Sequence, residues 1–267
     1  MAMDDFKGLV VLVTGASTGL GRAIAVGAAQ RGARAVIVNY ASSAAEAEVT
    51  AQQVRDAGAE AVVVQGDVGE DADCRKIAAA AEPFGRIDAL FNNAGMTKFA
   101  PKHGDLDAVN ADDFLRLYKV NVVGAFQMVR ACRHLLEAGE GTSAVVNTAS
   151  IAGVTGIGSS VPYAASKGAM TTMTLSLARG LAPKIRVNAV CPGFIDTPWF
   201  DDPNSPTPRQ KMRDAVIAST PLRAASTAED IADATLFLAS PMSRHVTGET
   251  LLVDAGTHLG FASLSMR

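Results

Sequence analysis

Cysteine is scarce in this chain. Cys74, Cys132 and Cys191 are scattered and odd in number, form no Cys-x-x-Cys pair, and imply a reducing compartment without a disulfide framework. The four histidines, His103, His134, His245 and His258, lack metal-ligand spacing, so no structural or catalytic metal is expected. Charge of neither sign dominates: 24 basic and 27 acidic residues give a formal net charge of −3, with no long run of one sign. That leaves no electrostatic footprint for nucleic acid or an anionic membrane. No apolar stretch approaches the roughly 20 residues of a membrane span. The N-terminus has neither the basic start nor the apolar core of a signal peptide. A cytoplasmic protein with no nucleic-acid and no membrane partner is expected. Aromatics are only 5% of the chain although hydrophobic residues are 48%, so Ala, Val, Leu and Ile must build the core. The 24 glycines point to tight turns and close backbone approaches.

What is present is an alternation of short β-branched runs with alanine-rich amphipathic segments. Strands are predicted over residues 9–13, 35–38, 61–64, 88–91, 144–147, 185–190 and 251–253. Helices are predicted over 21–31, 44–57, 71–81, 111–138, 162–181 and 228–239. Continuous apolar strands alternating with helices predict an α/β fold with a parallel sheet covered on both faces. The 267 residues can bury a large core without disulfides. The proline-rich run 198–208, with Trp199, Phe200 and two adjacent aspartates, reads as part of a substrate lid (about 194–226). It does not read as a linker, so one domain over 1–267 is expected.

Two motifs carry chemistry. Thr14-Gly15-Ala16-Ser17-Thr18-Gly19-Leu20-Gly21 follows the first strand and opens the first helix. Such a turn lets the backbone approach a pyrophosphate, which then sits at the positive end of the helix. The second motif is Tyr163-Ala-Ala-Ser-Lys167, with Ser150 upstream. Four residues apart on a helix, Tyr163 and Lys167 share one face. An ammonium near a phenol favours the phenolate and moves its pKa down from about 10. Ser150 can donate a hydrogen bond to a substrate oxygen that gains negative charge. These residue types fit proton transfer at a carbonyl or an alcohol.

With these pieces in order, the chain resembles the short-chain dehydrogenase/reductase family in its compact form, similar to 3-oxoacyl-carrier-protein reductase-like members. The resemblance rests on the glycine turn, Asp67-Val68, Asn92-Asn93-Ala94-Gly95, Asn121, Ser150, Tyr163-x-x-x-Lys167 and Pro192-Gly193, and runs from about Phe6 to Gly256. It implies a single-domain Rossmann-type doubly wound parallel sheet of about seven strands. It also implies hydride transfer between a nicotinamide cofactor and a carbonyl or alcohol substrate. Tyr163 is then the general acid/base, with Ser150 and Lys167 assisting and Lys167 bonding the nicotinamide ribose. Asn121 is implied to hold a water that links Lys167 to solvent in a proton relay.

The same resemblance implies a cofactor wall. Gly15, Ser17, Thr18, Gly19, Leu20 and Gly21 form the phosphate turn. Asp67 holds the adenine amino group and Val68 packs on its ring, while Asn93, Ala94 and Gly95 lie near the adenosine ribose. Pro192, Gly193, Ile195 and Thr197 fall at the nicotinamide, beside Tyr163 and Lys167. The residues ending the second strand, Asn39, Tyr40, Ala41, Ser42 and Ser43, include no carboxylate to repel a 2′-phosphate. NADP(H) is therefore favoured, bound by neutral donors of Asn39, Tyr40 and Ser42 with Arg22, and NAD(H) is the alternative. Met96, Ile151, Ala152, Ile157, Phe194, Trp199 and Phe200 are candidate walls of an apolar substrate pocket. Acid at Glu137 and Glu140 stands where a carrier-docking patch needs base, so a free ketone, sugar or alcohol is equally open. Helices 111–138 and 162–181 pair between subunits in relatives, which implies a homotetramer, or else a dimer. A non-catalytic dinucleotide-binding regulator is the rival reading, and the complete Ser150, Tyr163 and Lys167 set speaks against it.

Overall fold

The computed structural model describes residues 4–139, 141–201 and 207–260. Glu140 and residues 202–206, which belong to the acidic patch and the lid expected above, lie outside the described residues. Seven strands form one parallel sheet in the order β3-β2-β1-β4-β5-β6-β7. They are β1 (Val10–Val13), β2 (Ala35–Tyr40), β3 (Glu60–Gln65), β4 (Ala89–Asn92), β5 (Ser143–Thr148), β6 (Ile185–Pro192) and β7 (Thr250–Val253). β1 pairs with β2 on one side and β4 on the other, so the order reverses there and opens a crevice at the carboxyl ends of the strands.

Helices cover both faces of the sheet, which is why the strands read as unbroken apolar runs. Val11, Val13, Val36 and Val38 pack with Ile24 and Ala28 of α1 (Gly19–Gln30) and Ile231 and Leu236 of α9 (Ala228–Ala239). Their strand neighbours Val10, Leu12, Ile37 and Leu90 point the other way. They meet Ile77 of α3 (Asp71–Ala79) and Met128 and Leu135 of α5 (Ala125–Glu137). The abundance of Ala and Gly sets helices close: a Cβ on Gly27 would come within 2.8 Å of Leu236 Cδ1.

The helix predicted over 111–138 is not uniform. It divides into α4 (Ala111–Tyr118), a π-helical segment at Lys119–Gly124, and α5. Gly124 presses on Val68, where a Cβ would lie 2.8 Å from its side chain and 2.9 Å from its carbonyl. Further helices among the described residues are α2 (Ala44–Asp56), α6 (Ala152–Thr155) and α7 (Val161–Leu181). α8 (Arg209–Ser219) lies in the lid region and was not predicted, because it buries no residue and so shows no apolar stripe. Among the described residues, no helix is long and apolar enough to cross a membrane.

Candidate active site

A cleft of about 450 Å³ lies along the carboxyl ends of the strands. One end is the turn from β1 into α1. Gly15 (φ +61°) and Gly19 (φ +54°) adopt left-handed backbone, and a Cβ on Gly21 would fall 2.2 Å from the Gly15 carbonyl oxygen. Ser17, Thr18 and Leu20 line the cleft beside these glycines. α1 has no acidic residue in its first turn and the Thr18 side chain makes no capping bond, so the amides at its positive end stay available to an anion.

Side chains brace this turn from behind. Asn39 Oδ1 accepts from Gly15 N at 3.2 Å, while its Nδ2 donates to Val64 O at 3.3 Å and Gly66 O at 3.0 Å. Asn93 Nδ2 donates to Thr14 O at 3.0 Å and Gly15 O at 3.1 Å. Thr14 Oγ1 accepts from the backbone of Asn93 and Ala94, both at 3.0 Å. Asn39, Asn93 and Ala94 therefore border the cleft, but both amides are engaged by the fold.

These bonds place the residues read from the sequence as 2′-phosphate donors. The Asn39 amide is already fully engaged. Tyr40 does not border the cleft, because its ring packs against the core beneath α1. Arg22 donates from Nε to Thr50 Oγ1 at 2.9 Å and from its terminal nitrogen to Ser17 O at 2.6 Å, so its guanidinium steadies the turn from outside. Ser42 does line the cleft, together with Ala41 and Ser43, which sequence reasoning missed. Ser43 precedes α2 and its hydroxyl makes no capping bond.

Along the cleft floor, Asp67 Oδ1 accepts from Gly69 N at 2.8 Å, leaving its other oxygen for a ligand. Val68 lines the cleft while packed on Gly124, and Gly95 lies over Asn121 and Lys167. On the opposite wall are Pro192, Gly193, Ile195 and Thr197. Gly193 is pressed on Asp254, where a Cβ would be 2.8 Å from that side chain. A bridge from Ile195 to Ser226 fixes the start of the lid.

Ser150, Tyr163 and Lys167 stand together at the far end. Ser160 caps α7 by accepting from Tyr163 N at 3.3 Å, which places Tyr163 in the first turn and Lys167 one turn below. Lys167 is 3% exposed, donates to Thr148 O at 2.6 Å, and sits 5.8 Å from the Tyr163 ring centre. Burial pushes the Tyr163 phenol up to about 12, and a hydrogen bond with Ser150 pulls in the opposite direction. Burial also brings the Lys167 ammonium down to about 8. Burial is the larger of the effects on the phenol, which therefore stands above its ordinary value here, whereas the sequence reading expected a lowering by Lys167. Thr148 Oγ1 is buried here with no hydrogen-bond partner among the described residues.

Asn121 does not line the cleft. It is fully buried in the π-helical segment, where Oδ1 accepts from Met96 N at 2.8 Å and Nδ2 donates to Met96 O and Ser166 Oγ, both at 3.0 Å. Among the candidate substrate walls, Trp199 and Phe200 border the cleft, whereas Met96, Ile151, Ala152, Ile157 and Phe194 do not. Phe194 lies behind Phe200, with ring centres 4.7 Å apart. Thr148 and Ala149 were missed, although the carboxyl end of a central strand is the signal that marks such positions. Gly168 of α7 meets Gly153 of α6 within the chain.

The cleft suits a dinucleotide on its own features. It has a glycine turn that side chains would block, a free helix N-terminus, and an unpaired buried hydroxyl beside a buried ammonium. Comparison with known proteins agrees. The family described as enoyl-(acyl carrier protein) reductase matches residues 15–258. Ketoacyl reductase 2 of the granaticin polyketide synthase of Streptomyces violaceoruber is 42% identical, covering 97% of this chain and 100% of that one. L-rhamnose 1-dehydrogenase (NAD(P)(+)) of a Sphingomonas species is 38% identical over 96% of this chain and 99% of its own. The crystal structure of a short-chain dehydrogenase/reductase from Burkholderia xenovorans superposes with a TM-score of 0.86 at 38% identity, covering 95% of this chain and 99% of that one. The chain belongs to the short-chain dehydrogenase/reductase family, oxidoreductases that act on CH–OH and C=O groups with nicotinamide cofactors.

Proposed function

We propose that this protein moves hydride between NADP(H) and a small-molecule carbonyl or alcohol, with Tyr163 giving the proton in reduction and taking it in oxidation. The observation that carries this reading is the convergence of Ser150, Tyr163 and Lys167 on one cleft whose other end is a glycine turn. When bound, the dinucleotide supplies the hydride that reduces a carbonyl carbon, or accepts it from an alcohol carbon. In reduction Tyr163 would give its proton to the substrate oxygen as the carbon is reduced, which leaves the alcohol. Ser150 orients and polarises the substrate oxygen.

A phenol held protonated by burial is the correct form for donation. In the oxidation direction Lys167 must favour the phenolate, and its ammonium, buried and aimed at the Thr148 carbonyl, is in reach to do so. Asn121 fixes the Met96 backbone and Ser166, the neighbour of Lys167 in α7. Its side-chain bonds are all internal, so a water link in the relay falls to the backbone of the π-helical segment.

The preference for NADP(H) is supported by the Ser42 and Ser43 hydroxyls at the start of α2 and by the absence of a carboxylate from Asn39 to Ser43. Assembly as a homotetramer, or a dimer, is supported by exposed Leu115, Val123 and Phe126 along α4–α5 and Leu175 on α7. The deciding experiment is parallel fluorescence titration with NADPH and NADH, followed by a carbonyl screen with the tighter one. Tighter NADPH binding and ketone-dependent oxidation of the cofactor are expected. A well-folded sample that binds neither dinucleotide would overturn the reading.

A further inference from the structure

The chain is poor in aromatic residues, with one Trp, three Tyr and ten Phe in 267 residues. The substrate end of the cleft nevertheless collects Phe99, Tyr163, Phe194, Trp199 and Phe200. Trp199 faces Tyr163 with ring centres 6.5 Å apart and planes tilted by 52°. Phe200 is flanked by Phe194 at 4.7 Å and by Phe99 at 6.4 Å. Trp199, the only tryptophan, is 39% exposed and lines the cleft. A large indole beside the proton donor, backed by a phenylalanine cluster and left open to the cleft, is a platform for a flat apolar ligand.

Polar recognition is weak by comparison. Among the described residues, charges next to these aromatics in the chain pair with one another. Lys98 bonds Asp113 at 2.8 Å, Arg209 bonds Asp196 at 3.5 Å and Asp201 at 3.3 Å, and Arg213 bonds Asp196 at 3.2 Å. The neighbouring hydroxyls of Thr97 and Ser159 bond each other, and His103 Nε2 lies 3.1 Å from the Gly158 carbonyl oxygen. A polyhydroxylated or anionic substrate would compete with these existing bonds, whereas an uncharged ring system would not.

We propose that the substrate is an uncharged ketone, or its alcohol, carried on a fused ring system with an aromatic face. That face stacks on Trp199 and meets Phe200 while the oxygen reaches Ser150 and Tyr163. This rests on the carbonyl–alcohol reading of the site and specifies its substrate class.

The test uses 2-tetralone and 2-decalone, which share a bicyclic skeleton and an unconjugated carbonyl but differ in the aromatic ring. With the tighter-binding dinucleotide, kcat/KM for 2-tetralone should exceed that for 2-decalone by about tenfold. In Trp199→Leu this ratio should fall toward one, whereas a general loss of structure would lower both ketones together and leave the ratio unchanged. Binding is read independently, because Trp199 is the only tryptophan. Titration of the protein, saturated with oxidised dinucleotide, with 2-tetralone should quench its fluorescence saturably. A ratio at or below one, or no saturable quenching, overturns the proposal. Equal reduction of both ketones would sink the aromatic platform and leave the reductase reading intact. Saturable quenching without reduction of either would support the platform and count against hydride transfer.

Discussion

The two ends of the cleft are built by opposite means. At the glycine turn, polar side chains are saturated: Asn39, Asn93, Thr14 and Arg22 together tie β1, β2, β3, β4 and α2 to one loop. At the Tyr163 end, polar groups are buried without full satisfaction. Among the described residues Thr148 Oγ1 has no partner, the phenol is driven up and the ammonium is driven down. The first end is a frame whose accuracy comes from completed hydrogen bonds. The second keeps groups in costly environments, which is what proton chemistry near neutral pH requires. Damage to the frame should therefore appear in dinucleotide binding and stability, and damage at the other end in turnover and pH dependence.

The largest expected effect is at Tyr163. Tyr163→Phe keeps the ring against Trp199 and removes only the hydroxyl, so turnover should fall by about a thousandfold or more. The Kd for the dinucleotide should stay within about twofold, because the phenol proton has no part in that binding. Retention of a tenth of wild-type turnover would remove Tyr163 from its assigned role.

Next is the frame itself. Gly21→Ala places a Cβ 2.2 Å from the Gly15 carbonyl oxygen and 2.6 Å from Asn93 Nδ2, both of which are rigidly held. The turn must open, so the Kd should rise at least about tenfold and the melting temperature should drop by several degrees. Gly104→Ala is the matched control, since nothing lies within 4 Å of the added Cβ there. Equal behaviour of the two variants in a titration and a thermal melt would break the contrast.

Lys167 tests the other end through pH. Its ammonium titrates at about 8 in the folded protein against an ordinary 10.5. Between these values the folded state binds fewer protons than the unfolded chain, so stability rises with pH through that window. Below about 8 both states carry the charge and the full cost of burying it applies. Lys167→Met removes this dependence. The wild type should gain stability relative to the variant across the window, by on the order of 2 kcal/mol. Tyr163 contributes the opposite slope between 10 and about 12, where the folded phenol keeps its proton longer. That slope begins only at 10, so the comparison of the two proteins is read between about 8 and 10. Denaturant unfolding of both across the window measures the difference, and a constant offset would show that the ammonium is not desolvated.

How legible each end was in the sequence follows from the range of its contacts. The strands were readable because both of their faces are covered, and Tyr163 and Lys167 because one helix sets their spacing. The glycine turn was readable from its place between β1 and α1. The place of Asn39 was hidden because no local pattern tells a brace from a ligand contact, and its amide bonds Gly15, Val64 and Gly66, 24 to 27 residues away. Asn121 bonds Met96 and Ser166, 25 and 45 residues away, so neither these partners nor the π-helical register could be foreseen. α8 packs no side chain into the core and left no periodic trace.

The smallest expected effect separates the brace from the ligand contact. Asn39 holds Gly15 and the end of β3, so Asn39→Ala leaves buried donors and acceptors unpaired. It should lower stability by about 2 kcal/mol and weaken NADPH and NADH alike, because the turn serves the pyrophosphate common to both. Ser42→Ala combined with Ser43→Ala removes hydroxyls that line the cleft, where the Ser43 side chain makes no capping bond to the α2 backbone. It should raise the Kd for NADPH by about fivefold and leave that for NADH unchanged, with little cost in stability. If the double serine variant instead weakened both dinucleotides equally, the start of α2 would belong to the frame, and no 2′-phosphate contact would remain to be assigned there.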